Sequence, residues 1–140
     1  MSTIINNYIA NNLFGKFLGM EFTITQPGIV EYKLTPKKAL EAIPGMTHGG
    51  AIAGFMDGIL GVAALSGVEA EGKLVSTVEF KINYLSPTKT NETLHGIGTL
   101  LHKGKSTLVC EGKIYNDQNE LKATALGTFK AYSPQFKSRI

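Results

Sequence analysis

The segment from His48 to Ser66 constrains the fold more than any other, because it is a long, nearly apolar stretch whose spacing is helical. Ile52, Phe55, Met56, Ile59, Leu60 and Ala63 recur at intervals of three and four, which gathers them on one helix face. A second stripe is almost bare: Gly50, Ala53, Gly54, Asp57, Gly61 and Ala64. Each glycine in a helix interior costs roughly 0.8–1.0 kcal/mol relative to alanine, so several in one helix call for a compensating close contact. Gly67 is placed to cap the C-terminal end.

Elsewhere the apolar residues mostly alternate. Phe22 and Ile24 alternate with polar neighbours, Pro27-Gly28 follows as a tight turn, and Val30, Tyr32 and Leu34 alternate again. Met20 to Leu34 therefore reads as two strands. Leu74 to Leu85 is a strand with Val78, Phe80, Ile82 and Tyr84 on one face, stopped by Ser86-Pro87. Three more strands are expected over Glu92–Leu101, Ser106–Tyr115 and Glu120–Tyr132, with turns at His102–Lys105 and Asn116–Asn119. Thr35 to Met46 holds Pro36, Pro44 and Gly45 and reads as mostly loop, with a helical turn open to Lys37–Glu41. At the start, Ile5, Ile9, Leu13 and Phe17 form a helical stripe. Asn6, Asn7, Asn11 and Asn12 oppose it by competing for backbone hydrogen bonds. Helix, two strands, long helix, four strands is an α+β order, and an antiparallel sheet wrapped around the long helix is its simplest packing.

Composition narrows the function classes. The 140 residues suit a single domain, residues 1–140, and 43% apolar content argues against disorder. The net charge of +3 is scattered, so no nucleic-acid partner is expected, although a small phosphorylated ligand suits the balance. Cys110 is the one cysteine, which excludes an internal disulfide and a cysteine-cluster metal site; no metal or cofactor is called for, and a cytoplasmic location fits. The alternation around Cys110 assigns it to the core rather than to a nucleophile. Met1 to Ala10 lacks the positive flank of a secretory signal. Ala51 to Leu65 is shorter than the about 20 apolar residues that span a bilayer, so no membrane partner is expected.

Two features of the long helix carry chemistry. Asp57 is a carboxylate in the middle of an apolar segment, which is costly unless it is paired or used. Thr47-His48-Gly49-Gly50 opens the helix, where the first N–H groups have no intrahelical partner and carry the positive end of the dipole. Glycine lets a ligand oxygen reach those groups, so the turn can stabilise a developing oxyanion. A capping role for Thr47 is the structural alternative, and the two are compatible.

His48-Gly49-Gly50, six residues, Asp57, then Gly61 and Ala63-Ala64 resemble the central-helix signature of the hotdog-fold thioesterases. The pattern is most similar to the phenylacetic-acid-degradation type within the 4-hydroxybenzoyl-CoA thioesterase superfamily. Val78-Glu79-Phe80-Lys81-Ile82-Asn83-Tyr84-Leu85-Ser86-Pro87 resembles the strand that follows that helix, and the likeness runs from about Gly19 to Phe129.

The resemblance implies a curved antiparallel sheet around one long helix, a homodimer as the minimal unit with a dimer of dimers expected, and active sites at the dimer interface. It implies an acyl-CoA substrate, with the Gly49 N–H offered to the thioester carbonyl. Asp57 from the other subunit acts as general base on water or as nucleophile. His48 either orients the turn, touches the thioester sulfur or makes a purely structural hydrogen bond. Gly50, Phe55, Met56 and Ile59 are assigned to substrate binding, with Leu60 beside them. Lys103, Lys105 and Ser106 stand where relatives have a basic hairpin on the coenzyme A phosphates, and an ordinary exposed turn is the alternative. Thr77 matches a catalytic hydroxyl of some relatives; simple alternation puts it on the face of Glu79 and Lys81, away from Val78 and Phe80, and a strand bulge or an interface position would reconcile the two. Some relatives carry an asparagine six residues before the histidine, and here that position is Ala42.

The leading expectation is therefore an acyl-CoA thioester hydrolase. A non-catalytic acyl-CoA sensor is the alternative that the missing asparagine keeps open. A hotdog hydratase or dehydratase is a third, whose motifs are not found.

Overall fold

The computed structural model describes residues 2–134; Met1 and residues 135–140 of the expected 1–140 domain lie outside the described residues. Two short helices come first, α1 (Thr3–Asn11) and α2 (Leu13–Leu18), then β1 (Glu21–Gln26) and β2 (Ile29–Leu34). The strands β3 (Glu41–Ile43) and β4 (Met46–Thr47) lead into the long helix α3 (Gly49–Val68). Four strands follow: β5 (Leu74–Tyr84), β6 (Leu94–Lys103), β7 (Thr107–Asn116) and β8 (Leu121–Tyr132). Six of them form one antiparallel sheet in the order β1-β2-β6-β7-β8-β5, and α3 packs on its inner face. The hotdog arrangement expected from the sequence is the one the chain adopts.

The apolar stripe of α3 is the core. Phe55, Met56, Ile59 and Leu60 have no exposed surface, and they meet Val30, Leu94, Leu108, Ile114 and Phe129 from the sheet. The sheet receives them in a trough of glycines. A side chain at Gly98 would stand 2.5 Å from the Ile59 carbonyl oxygen, and one at Gly112 would stand 2.5 Å from the Met56 sulfur. The helix and its 3-10 extension, Gly49–Glu71, are long and apolar enough to cross a bilayer by length and composition, which corrects the shorter reading from Ala51–Leu65. In this fold 67% of the 18-residue window that meets that test is buried inside the chain.

Local differences from the sequence reading have physical causes. The first helix forms, but it breaks at Asn12, whose side chain caps α2 by accepting from the Gly15 N–H at 3.0 Å. That is the competition asparagine was expected to offer. Thr35–Met46 is not all loop, because β3 and β4 pair with each other before the helix. Gly67 does not cap α3; the helix runs through it, and the left-handed turn falls at Gly72, φ 72°. At the other end of the β1–β2 hairpin, Gly28 takes φ 88° in the Pro27-Gly28 turn, and its N–H donates to Ser66 at 2.9 Å.

One correction bears on function. In β5, Thr77 pairs with Phe129 and Glu79 with Thr128, so Val78 is an extra residue in the ladder. This bulge pushes Val78 outward, 61% exposed, rather than into the core beside Phe80. It also puts Thr77 on the helix face, which uninterrupted alternation would deny it.

Cys110 is buried in β7, and burial pushes its thiol up to about 12. Below that pH the reactive thiolate is scarce. A colorimetric thiol reagent at pH 8 is expected to find no reactive group in the native protein and one per chain in denaturant.

Candidate active site

Two clusters of polar atoms lie along the bare stripe of α3. The first is the helix start. The Thr47 N–H donates to the Thr88 carbonyl at 2.8 Å, and the His48 N–H donates to the Leu40 carbonyl at 2.8 Å, so the chain is fixed just before it turns. The cap is His48 and not Thr47: its Nδ1 accepts from the Gly50 N–H at 2.7 Å. In the neutral ring that bond leaves the proton on Nε2. Among the described residues nothing accepts from the Gly49 N–H. Tyr84, at the end of β5, reaches the same turn, and its hydroxyl donates to the Gly49 carbonyl at 2.8 Å. A cavity of about 310 Å³ opens here, lined by Thr47, Gly49, Ile52, Tyr84 and the 85–88 turn. The Thr47 hydroxyl is buried without a hydrogen-bond partner among the described residues.

The second cluster surrounds Asp57. The Thr77 hydroxyl donates to Asp57 Oδ1 at 2.8 Å, across from β5 to α3. A larger cavity, about 470 Å³, is lined by Asp57, Gly58, Gly61, Thr77, Phe129 and Tyr8, among others. Burial holds the Tyr8 and Tyr32 hydroxyls above their ordinary range, and the negative charge of Asp57 adds to this. Both stay protonated beside the carboxylate. Asn7, Tyr8 and Asn11 of α1 form one wall of this cavity. The sequence reading gave α1 no part in the site; the i, i+4 spacing of Asn7 and Asn11 around Tyr8 was the available signal.

The clusters are separate within one chain. Gly49 and Asp57 are eight residues apart on a helix, about 12 Å along its axis. One small group cannot touch both.

A family model described as the thioesterase superfamily matches residues 44–123, which include Gly49, Asp57, Thr77 and Tyr84. The chain belongs to the thioesterase superfamily. A Saccharolobus solfataricus protein that carries a provisional esterase name is 30% identical over 131 residues, covering 91% of this chain and 83% of the relative. Among solved structures, the Escherichia coli PaaI protein, from the phenylacetic acid degradation operon, superposes with a TM-score of 0.84 at 22% identity, over 92% of this chain and 91% of that one. The smu.793 protein of Streptococcus mutans, solved bound to acetyl CoA, gives a TM-score of 0.74 at 25% identity, over 84% and 91% of the two chains.

The fold of this superfamily member brings some expected site residues together and parts others. His48, Gly49 and Gly50 share the helix start, and Asp57 and Thr77 share a hydrogen bond. The Gly50 N–H is already spent on His48. Phe55, Met56 and Ile59 do not line either cavity; they are fully buried against the sheet, because they occupy the opposite face of α3 from Asp57. The basic hairpin lies near the C-terminal end of α3. There Lys103 donates to the Gly67 carbonyl at 3.1 Å and pairs with Glu71, whose carboxyl this lysine holds below its usual range. Lys105 and Ser106 are exposed in that turn. Ala42 is exposed on β3, and its neighbour Glu41 is committed elsewhere. The Glu41 carboxylate accepts from the Thr90 hydroxyl at 2.6 Å and the Gly45 N–H at 3.0 Å, which hold it below the usual carboxylate range.

Lys122 was not anticipated. Its ammonium is buried, 4% exposed, and donates to the Pro87 carbonyl at 2.6 Å beside the Gly49 cavity. Glu92 lies 3.3 Å from it. Lysine between apolar residues in a strand gives no sequence signal that it turns inward.

Proposed function

We propose that this chain is an acyl-CoA thioesterase that hydrolyses a thioester to a carboxylic acid and free coenzyme A. The observation that carries the reading is the Asp57–Thr77 pair facing a cavity on the same helix that begins with an unclaimed Gly49 N–H. Thioester hydrolysis needs both kinds of group: a donor for the oxygen that becomes negative, and a carboxylate that activates water or attacks directly. The Thr77 hydroxyl fixes one oxygen of Asp57 and leaves the other for water. His48, with its proton on Nε2, can donate to the thioester. Membership of the thioesterase superfamily supports the reaction class, and the acetyl-CoA complex of the S. mutans protein supports the ligand.

The 12 Å gap within one helix supports a homodimer as the working unit. The edge strand β5 packs alongside α3 with Thr77 next to Asp57 and Tyr84 next to Gly49. β5 has β8 on one side and, among the described residues, no strand on the other. Antiparallel pairing of two such edges, centred near Phe80 and Lys81, brings the Thr77 end of one strand to the partner's Tyr84. Each site then takes its carboxylate from one subunit and its donor from the other, and the dimer has two sites.

The test is hydrolysis of a panel of short, medium, long and aromatic acyl-CoAs, followed by release of free thiol. Turnover of at least one class is expected, with kcat in the usual range of about 1–1,000 per second. Tight binding of coenzyme A with no turnover of any acyl-CoA would instead identify a sensor.

A further inference from the structure

We propose that Tyr84 is a positioning residue for the Gly49 donor, an inference that rests on the thioesterase reading above. Two adjacent glycines open α3, and neither has a Cβ to restrict its dihedral angles. The peptide unit between them is held from outside at both ends. Its carbonyl, on Gly49, accepts from the Tyr84 hydroxyl at 2.8 Å, and its N–H, on Gly50, donates to His48 Nδ1 at 2.7 Å. A carbonyl oxygen has two lone pairs, so the phenol bond adds to the helical one rather than replacing it. The Gly49 N–H belongs to the preceding plane, whose carbonyl, on His48, accepts from the Ala51 and Ile52 N–H groups at 3.0 and 3.4 Å; the two planes meet at the Gly49 Cα, and holding the second limits how far the first can turn.

Tyr84 is itself anchored. It pairs with Ala123 at the end of β5, and the next two residues, Leu85 and Ser86, donate their N–H groups to the Lys122 carbonyl at 2.9 and 3.3 Å. The ring runs alongside Gly49, whose missing Cβ would stand 3.6 Å from the tyrosine Cζ. Thr47 also lines the cavity at this turn, and its buried hydroxyl has no hydrogen-bond partner among the described residues.

The experiment uses Tyr84→Phe, which keeps the ring and removes only the hydroxyl. kcat on the best acyl-CoA is expected to fall about 10- to 100-fold with KM within about threefold, as a displaced donor acts in the transition state. Amide exchange of Gly50 in the ligand-free protein, followed by NMR, is expected to rise about tenfold as the clamp loosens. His48→Ala also lowers kcat, and the double variant is expected to lose little more than the worse single one, since both act on one peptide unit. An unchanged kcat with unchanged Gly50 exchange in Tyr84→Phe overturns the proposal, and so do fully additive losses. If the wild-type protein hydrolyses no acyl-CoA, the thioesterase reading fails by itself, and Gly50 exchange alone then decides the clamp.

Discussion

Asp57→Ala is expected to lower kcat for thioester hydrolysis about 1,000-fold while changing KM little, the scale on which removal of a positioned general base acts. The argument is geometric. Asp57 is a carboxylate facing a cavity of about 470 Å³, and one of its oxygens is fixed by Thr77. No other carboxylate borders that cavity among the described residues, so none can take its place. The fold should survive the change. The side chain lies in the bare stripe of α3, where alanine is a better helix former than aspartate and relieves a carboxylate of its partly apolar surroundings. Thermal unfolding of the variant should match or exceed that of the wild type. Asp57→Asn separates the roles: it keeps an acceptor for Thr77 but cannot take a proton, and its activity should fall as far. If either variant retains wild-type turnover, the carboxylate is not the base.

The second large effect is on stability. Gly98→Ala is expected to destabilise the fold by about 3 kcal/mol, at the upper end of what overpacking costs. The reason lies in what the new methyl group would meet. At Gly98 it stands 2.5 Å from the Ile59 carbonyl, a backbone atom of α3 that cannot rotate away. The Ile59 and Val30 side chains close in at 2.9 Å as well. Relief requires the helix to rise off the sheet, which loosens the Phe55, Ile59 and Leu60 contacts together. Gly61→Ala is the control, since its methyl would meet only the rim of the Phe129 ring at 3.4 Å. A midpoint shift of about 10 °C is expected for Gly98→Ala and a much smaller one for Gly61→Ala, read by circular dichroism.

The parts of this molecule governed by periodicity could be read from the sequence. The apolar stripe of α3 and the alternation of β2 and β7 have strong, regular signals, and each lies where the spacing puts it. The helix-start turn and Asp57 were legible for another reason, since bare glycines and a lone carboxylate in an apolar helix are chemically out of place. What stayed hidden depends on contacts between elements distant in sequence. Phe55, Met56 and Ile59 could equally well have faced a ligand or a sheet until the glycines at 98 and 112 were seen to receive them. His48 displaced Thr47 as cap because its ring nitrogen reaches the Gly50 N–H, a choice that depends on rotamers rather than spacing. Tyr84 read as one more strand aromatic, and only the return of β5 along α3 brings its hydroxyl to Gly49. Lys103 looked free, but the 3-10 turn after α3 supplies Glu71 to it.

The extra residue at Val78 has a consequence for how this chain is aligned with others. On either side of it the ladder with β8 is regular: Thr77 faces the helix with Val75, and Phe80 faces the helix with Ile82. Removing Val78 on paper leaves both halves in register with β8. A homologue without the bulge would therefore present the same hydroxyl and the same aromatic residue one position closer together in its sequence. The single-residue gap in such an alignment belongs at Val78. Placed before Thr77, it would pair that residue with an outward-facing neighbour and hide the residue that holds Asp57.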